Sequence, residues 1–333
     1  MKHIFKRIAA AVLAGAFALS AAGCMTKTVE VERETDVPPK ITFLGDSIPA
    51  GYGLEGYSDD DNYSCMSYSN ILKAEYSEEL DGKCTAEMVN VAVTGDTSAQ
   101  LLEHLESGEF DEALKDSDAV VISIGGNDIL EIFLNFLGND LGLNPDGGDG
   151  WKDGSINLFT AAEALGGLSD KMDAALTDYN DNFTEIISQI HGKTSARLFV
   201  QTLYNPFEYY DKLQFLVDFA DEKIGIINQT ITDNAVTEDG LENYTVVDVA
   251  ASFKGRCGDL TTIKNFDIHP NAEGHKVIAE VVDKAVRSKT YFYPDTEEVT
   301  DKTAVAAAAA GGVLCAAIIV TVTAVIIRRK KKS

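Results

Sequence analysis

Ser47 directly follows a run of apolar residues, in the sequence ITFLGDSIPAGYG. A serine between a buried parallel strand and a helix can present its hydroxyl to a cleft and its own N–H to a developing oxyanion. The hydroxyl is almost un-ionised at neutral pH, so attack on a carbonyl needs a neighbouring base such as histidine. Because Gly45, Asp46 and Ser47 are also ordinary turn residues, this segment alone favours a turn.

Three further segments place residues suited to the same chemistry at predicted strand ends. The second strand runs into VNVAVTGDTS, with Gly95 at its tip, and the third runs into VVISIGGNDIL, with Asn127 at its tip. Late in the chain, NFDIHPNAEGHKVIA places Asp267 and His269 just before the final helix. Functional residues of parallel sheets lie at the carboxyl ends of the strands, so we expect these side chains to meet Ser47 in one cleft.

Together these blocks resemble the SGNH (GDSL-type) hydrolase family of lipases and acylhydrolases, over roughly residues 40 to 288. The resemblance rests on a Ser, a Gly, an Asn and a His in that chain order, and the combination is far more specific than any single piece. It implies that Ser47 is the nucleophile and His269 the base. It also implies an oxyanion hole formed by the N–H groups of Ser47 and Gly95 and the side-chain amide of Asn127.

The acid of the implied triad departs from the family pattern. The family usually places it three residues before the histidine, where this chain has Phe266. Asp267 precedes His269 by two residues, and residues two apart in an extended strand point the same way, so its carboxylate can reach the imidazole. Alternatively, Asp267 caps the turn, and a backbone carbonyl or Asp259 orients His269. A Ser-His-Asp triad is expected, with a Ser-His dyad as the alternative.

Apolar, β-rich runs that alternate with helical stretches must position these residues. Strands are expected near Ile41–Leu44, Met88–Val93, Ala119–Ile124, Arg197–Leu203 and Thr245–Val249. Helices are expected over Tyr68–Leu80, Ser98–Leu105 and Ser169–Ile190, near Phe215–Val236, and over Ala272–Val286 with Asn271 as its N-cap. This order predicts an α/β fold, a three-layer α/β/α sandwich around a mainly parallel five-stranded sheet. The resemblance implies the flavodoxin-like version of that fold.

Acidic residues outnumber basic ones by 53 to 28 in this chain of 333 residues. Three of the basic residues lie in the first seven positions and five in the last six, which leaves 20 basic against 53 acidic residues for the rest. This balance repels polyanions, so we expect no nucleic-acid partner. We expect one hydrolase domain over residues 39–290, which carries this acidity and is a monomer.

The N-terminal residues have the pattern of a secretory signal peptide, predicted over residues 1–23. A basic start is followed by the apolar run Ile8–Leu19 and then by small residues. Cleavage after Ala22 is one route. The sequence SAAGC also resembles a bacterial lipoprotein box, in which Cys24 would carry a lipid.

The C-terminal residues 304–327 form an uncharged run of 24 residues, long enough for a transmembrane helix. A basic tail, 328–333, would stay in the cytoplasm. The catalytic domain would then lie outside the cell membrane, together with a stalk at 24–38 and a linker at 291–303. The alternative is a sortase signal, for which YPDTE at 293–297 has the right place but lacks the usual Gly.

Cysteine spacing predicts no structural metal. Cys65, Cys84 and Cys257 would lie outside the membrane, allow three alternative single disulfides and lack C-x-x-C spacing. The Gly/Asp-rich segment 139–155 lacks the spacing of a calcium loop. We therefore expect neither a metal nor another cofactor.

Side chains outside the blocks receive structural interpretations. His104 is expected to be solvated near Glu103 and Glu106, His191 to end a helix, and His275 to pack in the core. Tyr52, Tyr57, Tyr63 and Trp151 are expected to form either a substrate wall or a plain hydrophobic cover.

The predicted function is a surface-anchored serine esterase that cleaves carboxylic esters through an acyl-enzyme. The resemblance implies substrates that range from lysophospholipids and other acyl lipids to O-acetylated carbohydrates. The alternative is a displayed, non-catalytic carbohydrate-binding domain on the same fold. Competent residues at all the chemical positions argue against that alternative.

Overall fold

The computed structural model describes residues 26–80, 82–83, 87–136, 158–265 and 267–330. Within these ranges the strands are, in chain order, β1 Thr26–Thr35, β2 Lys40–Gly45, β3 Glu87–Asn90, β4 Ala119–Ser123, β5 Arg197–Gln201, β6 Thr245–Val247 and β7 Tyr291–Thr300. The α-helices are α1 Ser47–Ala50, α2 Tyr68–Leu80, α3 Ser98–Ser107, α4 Asp111–Leu114, α5 Gly126–Asn135, α6 Leu158–Lys193, α7 Gln214–Asp233, α8 Val249–Phe253, α9 Cys257–Leu260, α10 Ala272–Val286 and α11 Lys302–Lys330. Short 3-10 helices cover Pro206–Tyr209 and Ile263–Asn265.

Strands β2 to β6 form the predicted five-stranded parallel sheet, in the order β3-β2-β4-β5-β6. Ile41 of β2 pairs with Met88 of β3 on one side and with Ala119 of β4 on the other. The loops that follow β3 and β4 therefore lie on either side of the loop that follows β2.

Successive residues of the strands bury opposite faces of the sheet, as the twofold period of a strand requires. Phe43 of β2 and Val121 of β4 pack with helices α2 and α10. Leu44 and Ile122 pack instead with α3, α5, α6 and α7. Helices thus cover both faces, and the predicted α/β architecture with a parallel sheet is confirmed.

Local signals located both ends of two helices, whereas α6 begins well before its predicted start at Ser169. Helices α2 and α10 have the predicted bounds, and the Asn271 side chain accepts the N–H groups of Glu273 and Gly274 at 3.0 Å. Strand β6 ends two residues earlier than expected, because Asp248 caps α8 by accepting the N–H of Ala251. The sequence did not predict helix α5.

The chain divides into two units, of which the larger is Glu34–Tyr293. In the smaller unit, the segments predicted as stalk and linker contribute β1 and β7, which pair as a two-stranded sheet. Arg33 of β1 donates to the carboxylates of Asp295 and Glu297 of β7. The predicted signal peptide, Cys24, the 139–155 segment with Trp151, and residues 331–333 lie outside the described residues.

The segment predicted to span a membrane, 304–327, lies within α11. In the described part of the chain, no helix is long and apolar enough to cross a membrane. The expected transmembrane helix is therefore not found. Alanine and glycine, which bury little apolar surface per residue, make up most of the first half of this run.

Candidate active site

Strand β2 delivers Ser47 to the edge of the sheet through a turn that admits only glycine at its first position. Gly45 has φ +132°, and a Cβ there would lie 1.9 Å from the carbonyl oxygen of Ser123. Asp46 follows as the N-cap of α1 and accepts the N–H of Ile48 at 3.0 Å. Ser47 is thus the first helical residue and is only 7% exposed. The close approach of Gly45 to β4 and the Asp46 cap therefore determine the backbone position of Ser47.

His269 contacts Ser47 and Asp267 at the same time. Its Nε2 lies 2.9 Å from Ser47 Oγ, and its Nδ1 lies 2.5 Å from Asp267 Oδ1. Burial raises the pKa of Asp267, but hydrogen bonds from the imidazole and main-chain N–H of His269 outweigh it and hold the pKa below its usual value. The alternative acid, Asp259, is 86% exposed and pairs with Lys264.

The segment 267–269 is anchored from two sides. Thr262 donates through its N–H and hydroxyl to the carbonyl of His269, at 3.0 and 3.2 Å. Tyr204 donates its hydroxyl to the carbonyl of Ile268 at 2.7 Å. These contacts hold the backbone on either side of Ile268, while the bonds to Asp267 and Ser47 orient the imidazole.

Gly95 lies in the loop after β3 and Asn127 in the first turn of α5, which follows β4, and the strand order places both beside the end of β2. The N–H of Val93 donates to the carbonyl of Gly45 at 2.9 Å, which joins the loop after β3 to the end of β2. The Asn127 amide donates to the carbonyl of Asp96 at 2.9 Å, which joins the start of α5 to the same loop. That amide has a second N–H for a ligand. The structure thus brings the predicted oxyanion-hole residues together at one sheet edge.

Residues 43–277 match the model of the GDSL-like lipase/acylhydrolase family. The chain belongs to this family. Membership supports an ester hydrolase. A 255-residue alignment gives 28% identity to an uncharacterized protein, YpmR, of Bacillus subtilis (strain 168), and covers 75% of this chain and 82% of that protein.

Solved structures share the fold of this GDSL-family chain. A phospholipase A1 from Streptomyces albidoflavus NA297 has TM-score 0.52 at 18% identity, covering 74% of this chain and 98% of its own. The lipase Lip_vut3 from a goat rumen metagenome has TM-score 0.52 at 20% identity, covering 74% and 96%. An extracellular lipase from Streptomyces rimosus has TM-score 0.51 at 17% identity, covering 74% and 99%. At these identities the likeness concerns the fold.

Two carboxylates beside the site, the buried Asp46 and the half-buried Asp128, were not predicted as site residues. Asp128 accepts the N–H of Ser98 at 3.0 Å and its hydroxyl at 2.5 Å, which joins the start of α5 to the start of α3. Burial raises the pKa of Asp46, next to Ser47, to about 7. In the sequence, each of these carboxylates is adjacent to a predicted site residue, Asp46 to Ser47 and Asp128 to Asn127. Ordinary turns contain the same residue types, so this adjacency could not identify them.

Tyr52 and Tyr57 line the exposed side of the site. The Tyr52 ring lies 4.6 Å from the His269 ring, and the Tyr57 ring meets Tyr52 edge-on at 5.3 Å. The Tyr57 hydroxyl bonds to Thr94 Oγ1, next to Gly95. Tyr63 lies elsewhere: its hydroxyl accepts the N–H of Asn90 and donates to the carbonyl of Met88, and so completes the hydrogen bonding of the edge strand β3.

The remaining histidines are structural, with one correction. His104 was expected near Glu103 and Glu106, but it pairs with Glu109 at 2.6 Å and with Asp96 at 3.3 Å, because the chain turns after α3 and brings Glu109 back. His191 bonds to Asn243.

His275 packs in the core, as predicted. It is fully buried and accepts the N–H of Tyr68 at 3.1 Å, and burial lowers its pKa to about 3. A ring with so low a pKa is a poor proton acceptor, so His269 is the candidate base of the site.

Cys65 and Cys257 are both buried free thiols, while Cys84 lies outside the described residues. Cys65 and Cys257 therefore do not form a disulfide with each other in this structure. In the portion described, no cluster of three or more His, Cys, Asp or Glu side chains could hold a metal ion.

An apolar pocket opens beside Ser47. Ile48, Gly126 and Ile268 line it next to the site, and side chains of α5, α6, α7 and the segment after β5 complete its wall. This acyl-side pocket, as we call it below, borders about 620 Å³ of atom-free space, part of which is open to solvent.

Proposed function

We propose that this protein is a serine esterase that hydrolyses carboxylic esters through an acyl-enzyme. The observation that carries the proposal is the unbroken chain from Ser47 Oγ to His269 Nε2, at 2.9 Å, and from His269 Nδ1 to Asp267 Oδ1, at 2.5 Å. These two hydrogen bonds supply a base for the Ser47 hydroxyl and an anchor for that base.

In the first half-reaction, His269 Nε2 takes the proton of Ser47 as Oγ bonds to the ester carbonyl carbon. The N–H groups of Ser47 and Gly95 and the amide of Asn127 stabilise the resulting oxyanion. Collapse breaks the ester C–O bond, and His269 returns its proton to the departing alcohol. Water then attacks the acyl-enzyme with the same base, and the carboxylic acid and free Ser47 are released.

Asp267 positions the base and stabilises its charged form. Because the pKa of Asp267 is held below its usual value, the carboxylate stays ionised at neutral pH. It accepts Nδ1–H, which leaves the Nε2 lone pair directed at Ser47. The imidazolium that forms during attack then lies against a negative charge.

We also propose that the protein is exported. The signal-type sequence of residues 1–23 supports this, with either cleavage after Ala22 or lipidation of Cys24. Expression of the full chain in a bacterial host, followed by N-terminal sequencing and mass measurement of the mature protein, distinguishes the two. An unprocessed Met1 in the mature protein would contradict export.

The competing function is a carbohydrate-binding domain without activity. Hydrolysis of p-nitrophenyl acetate and butyrate separates the two, measured on wild type and on Ser47→Ala, with the exposed Ser288→Ala as the matched control. We expect wild type and Ser288→Ala to hydrolyse the esters and to be labelled by a fluorophosphonate, and Ser47→Ala to do neither. If wild type did neither but bound acetylated glycans, the esterase proposal would be overturned.

A further inference from the structure

We propose that the acyl-side pocket binds a medium-chain fatty acyl group, so that the preferred substrates are esters of fatty acids with about six to ten carbons rather than acetyl esters. The inference rests on the proposed esterase function and concerns the specificity of the same site. The proposed function leaves open both acyl lipids and O-acetylated carbohydrates as substrates, and the pocket is what distinguishes between these classes here.

The first argument is position. Ile48 follows Ser47, Gly126 precedes Asn127, and Ile268 lies between Asp267 and His269 in the chain, and all three line the pocket. The pocket therefore lies next to the residues proposed to react. An acyl group bonded to Ser47 Oγ needs space beside the serine, and these three residues border such a space.

The second argument is the chemistry of the wall. Leu203, Phe207, Met172, Phe219 and Ala220 contribute aliphatic and aromatic surface. Tyr204 also lines the pocket, but its hydroxyl is already donated to the carbonyl of Ile268. A sugar ring needs several hydrogen-bond partners when it is buried, whereas an alkyl chain needs apolar surface only. This wall suits the alkyl chain.

Among the described residues that line the pocket, Lys223 carries the charge. Its ammonium group is held by protein partners rather than left for a ligand. Its ammonium donates to Ser169 Oγ, Asp173 Oδ1 and Glu222 Oε1 at 2.7 to 2.9 Å, which occupies all three N–H donors. Burial lowers the pKa of Lys223, but the hydrogen bonds to Asp173 and Glu222 raise it overall. The aliphatic stem therefore remains as the part that lines the pocket.

The third argument is the extent of the apolar lining. The wall runs from Ile48, beside Ser47, to Phe219 and Ile224 of α7, and an acetyl group on Ser47 would leave most of this surface in contact with water. Each additional methylene that is removed from water should raise kcat/KM about fourfold, the equivalent of about 0.8 kcal/mol per buried CH₂. The preference should increase with chain length until the pocket is filled.

The test measures kcat/KM of the full chain for p-nitrophenyl esters of two, four, six, eight, ten and sixteen carbons, with Ser47→Ala subtracted. We expect a maximum between six and ten carbons, at least tenfold above acetate. A Ser47-dependent maximum at two carbons would overturn the inference while leaving the esterase intact. Absence of Ser47-dependent hydrolysis at every length would instead reject the esterase function itself.

Filling the pocket provides the second test. Ala220 is 5% exposed in the pocket wall, and Ala251 is an exposed alanine of α8 that serves as the matched control. Ala220→Leu should lower kcat/KM for the octanoyl ester at least tenfold and change the acetyl ester less than twofold. Ala251→Leu should change neither ester more than twofold. Unchanged chain-length profiles in Ala220→Leu would contradict the proposed acyl site.

A second filling variant guards against misfolding of the first. Ile224 lines the same pocket from the next turn of α7 and is half-buried. Ile224→Phe should shift the maximum to shorter chains, with the Tm of each variant measured alongside. If either folded variant keeps the wild-type profile, the acyl chain does not occupy this pocket.

Discussion

Asp267 Oδ1 accepts two hydrogen bonds from His269, one from Nδ1 at 2.5 Å and one from the main-chain N–H at 3.1 Å. The family usually places the carboxylate that contacts the histidine Nδ1 three residues before that histidine. Here a carboxylate two residues before it makes this contact. The doubled contact fixes the side chain and the backbone of His269 together. It also explains why the shorter spacing does not displace the imidazole from Ser47.

Asp267→Asn should lower kcat at least 100-fold and leave KM within about threefold, because the amide can favour the wrong imidazole tautomer. Steady-state kinetics on the best p-nitrophenyl ester measure this. Asp259→Asn is the matched control, since that carboxylate is the alternative acid and is 86% exposed. If Asp259→Asn lost activity and Asp267→Asn kept it, the assignment of the acid would be reversed.

Asn127→Ala should lower kcat about 100-fold or more with little change in KM, which corresponds to the loss of about 3 kcal/mol of oxyanion stabilisation. The exposed Asn180→Ala on α6 is the control and should retain wild-type kinetics. Near-normal turnover in folded Asn127→Ala would show that its amide does not contact the oxyanion and only fastens the Asp96 loop.

Asp46 should make the folded protein less stable as the pH rises. Burial raises its pKa from 3.8 to about 7 in the folded state, so between these values the folded state binds more protons than the unfolded one. The contribution of Asp46 to the free energy of unfolding should therefore fall from pH 4 to pH 7, by at most about 1.4 kcal/mol per pH unit.

Urea unfolding of wild type and Asp46→Asn at pH 5 and pH 8 isolates this contribution, because other titrating groups are common to both proteins. The Asn side chain keeps an oxygen that can accept the Ile48 N–H, so the N-cap is retained. Asp46→Asn should gain stability relative to wild type on going from pH 5 to pH 8. An identical change with pH in the two proteins would contradict a raised pKa for Asp46.

Tyr52 should matter through its ring and little through its hydroxyl. The ring lies 4.6 Å from that of His269, and such a contact contributes about 0.5–1.5 kcal/mol. Tyr52→Ala should therefore lower kcat/KM a few-fold to about tenfold, and Tyr52→Phe should stay within twofold of wild type. A large loss in Tyr52→Phe would point to a role for the hydroxyl on the alcohol side of the ester.

Local patterns in the sequence predicted the five strands of the parallel sheet, five of the helices around it and the order of the chemical blocks. The Asn271 cap and the apolar face of α10 depend on residues within a few positions of each other, so their signal survives without a structure. That Ser47, Gly95 and Asn127 follow strands could be predicted for the same reason, although β3 ends five residues before Gly95 and Asn127 lies in α5. Helix α5 was missed, since its start at Gly126 resembles a loop.

The sequence by itself determined that a serine, a glycine and an asparagine follow strands of a parallel sheet and that a histidine lies just before helix α10. Only the tertiary structure decided that the order β3-β2-β4 places Gly95 and Asn127 on either side of Ser47, that Asp267 rather than Asp259 meets His269, and that His104 pairs with Asp96. The acyl-side pocket likewise joins residues from Ile48 to Ile268. These contacts connect positions far apart in the chain, and periodicity reports only which face of an element is buried, not which distant element covers it.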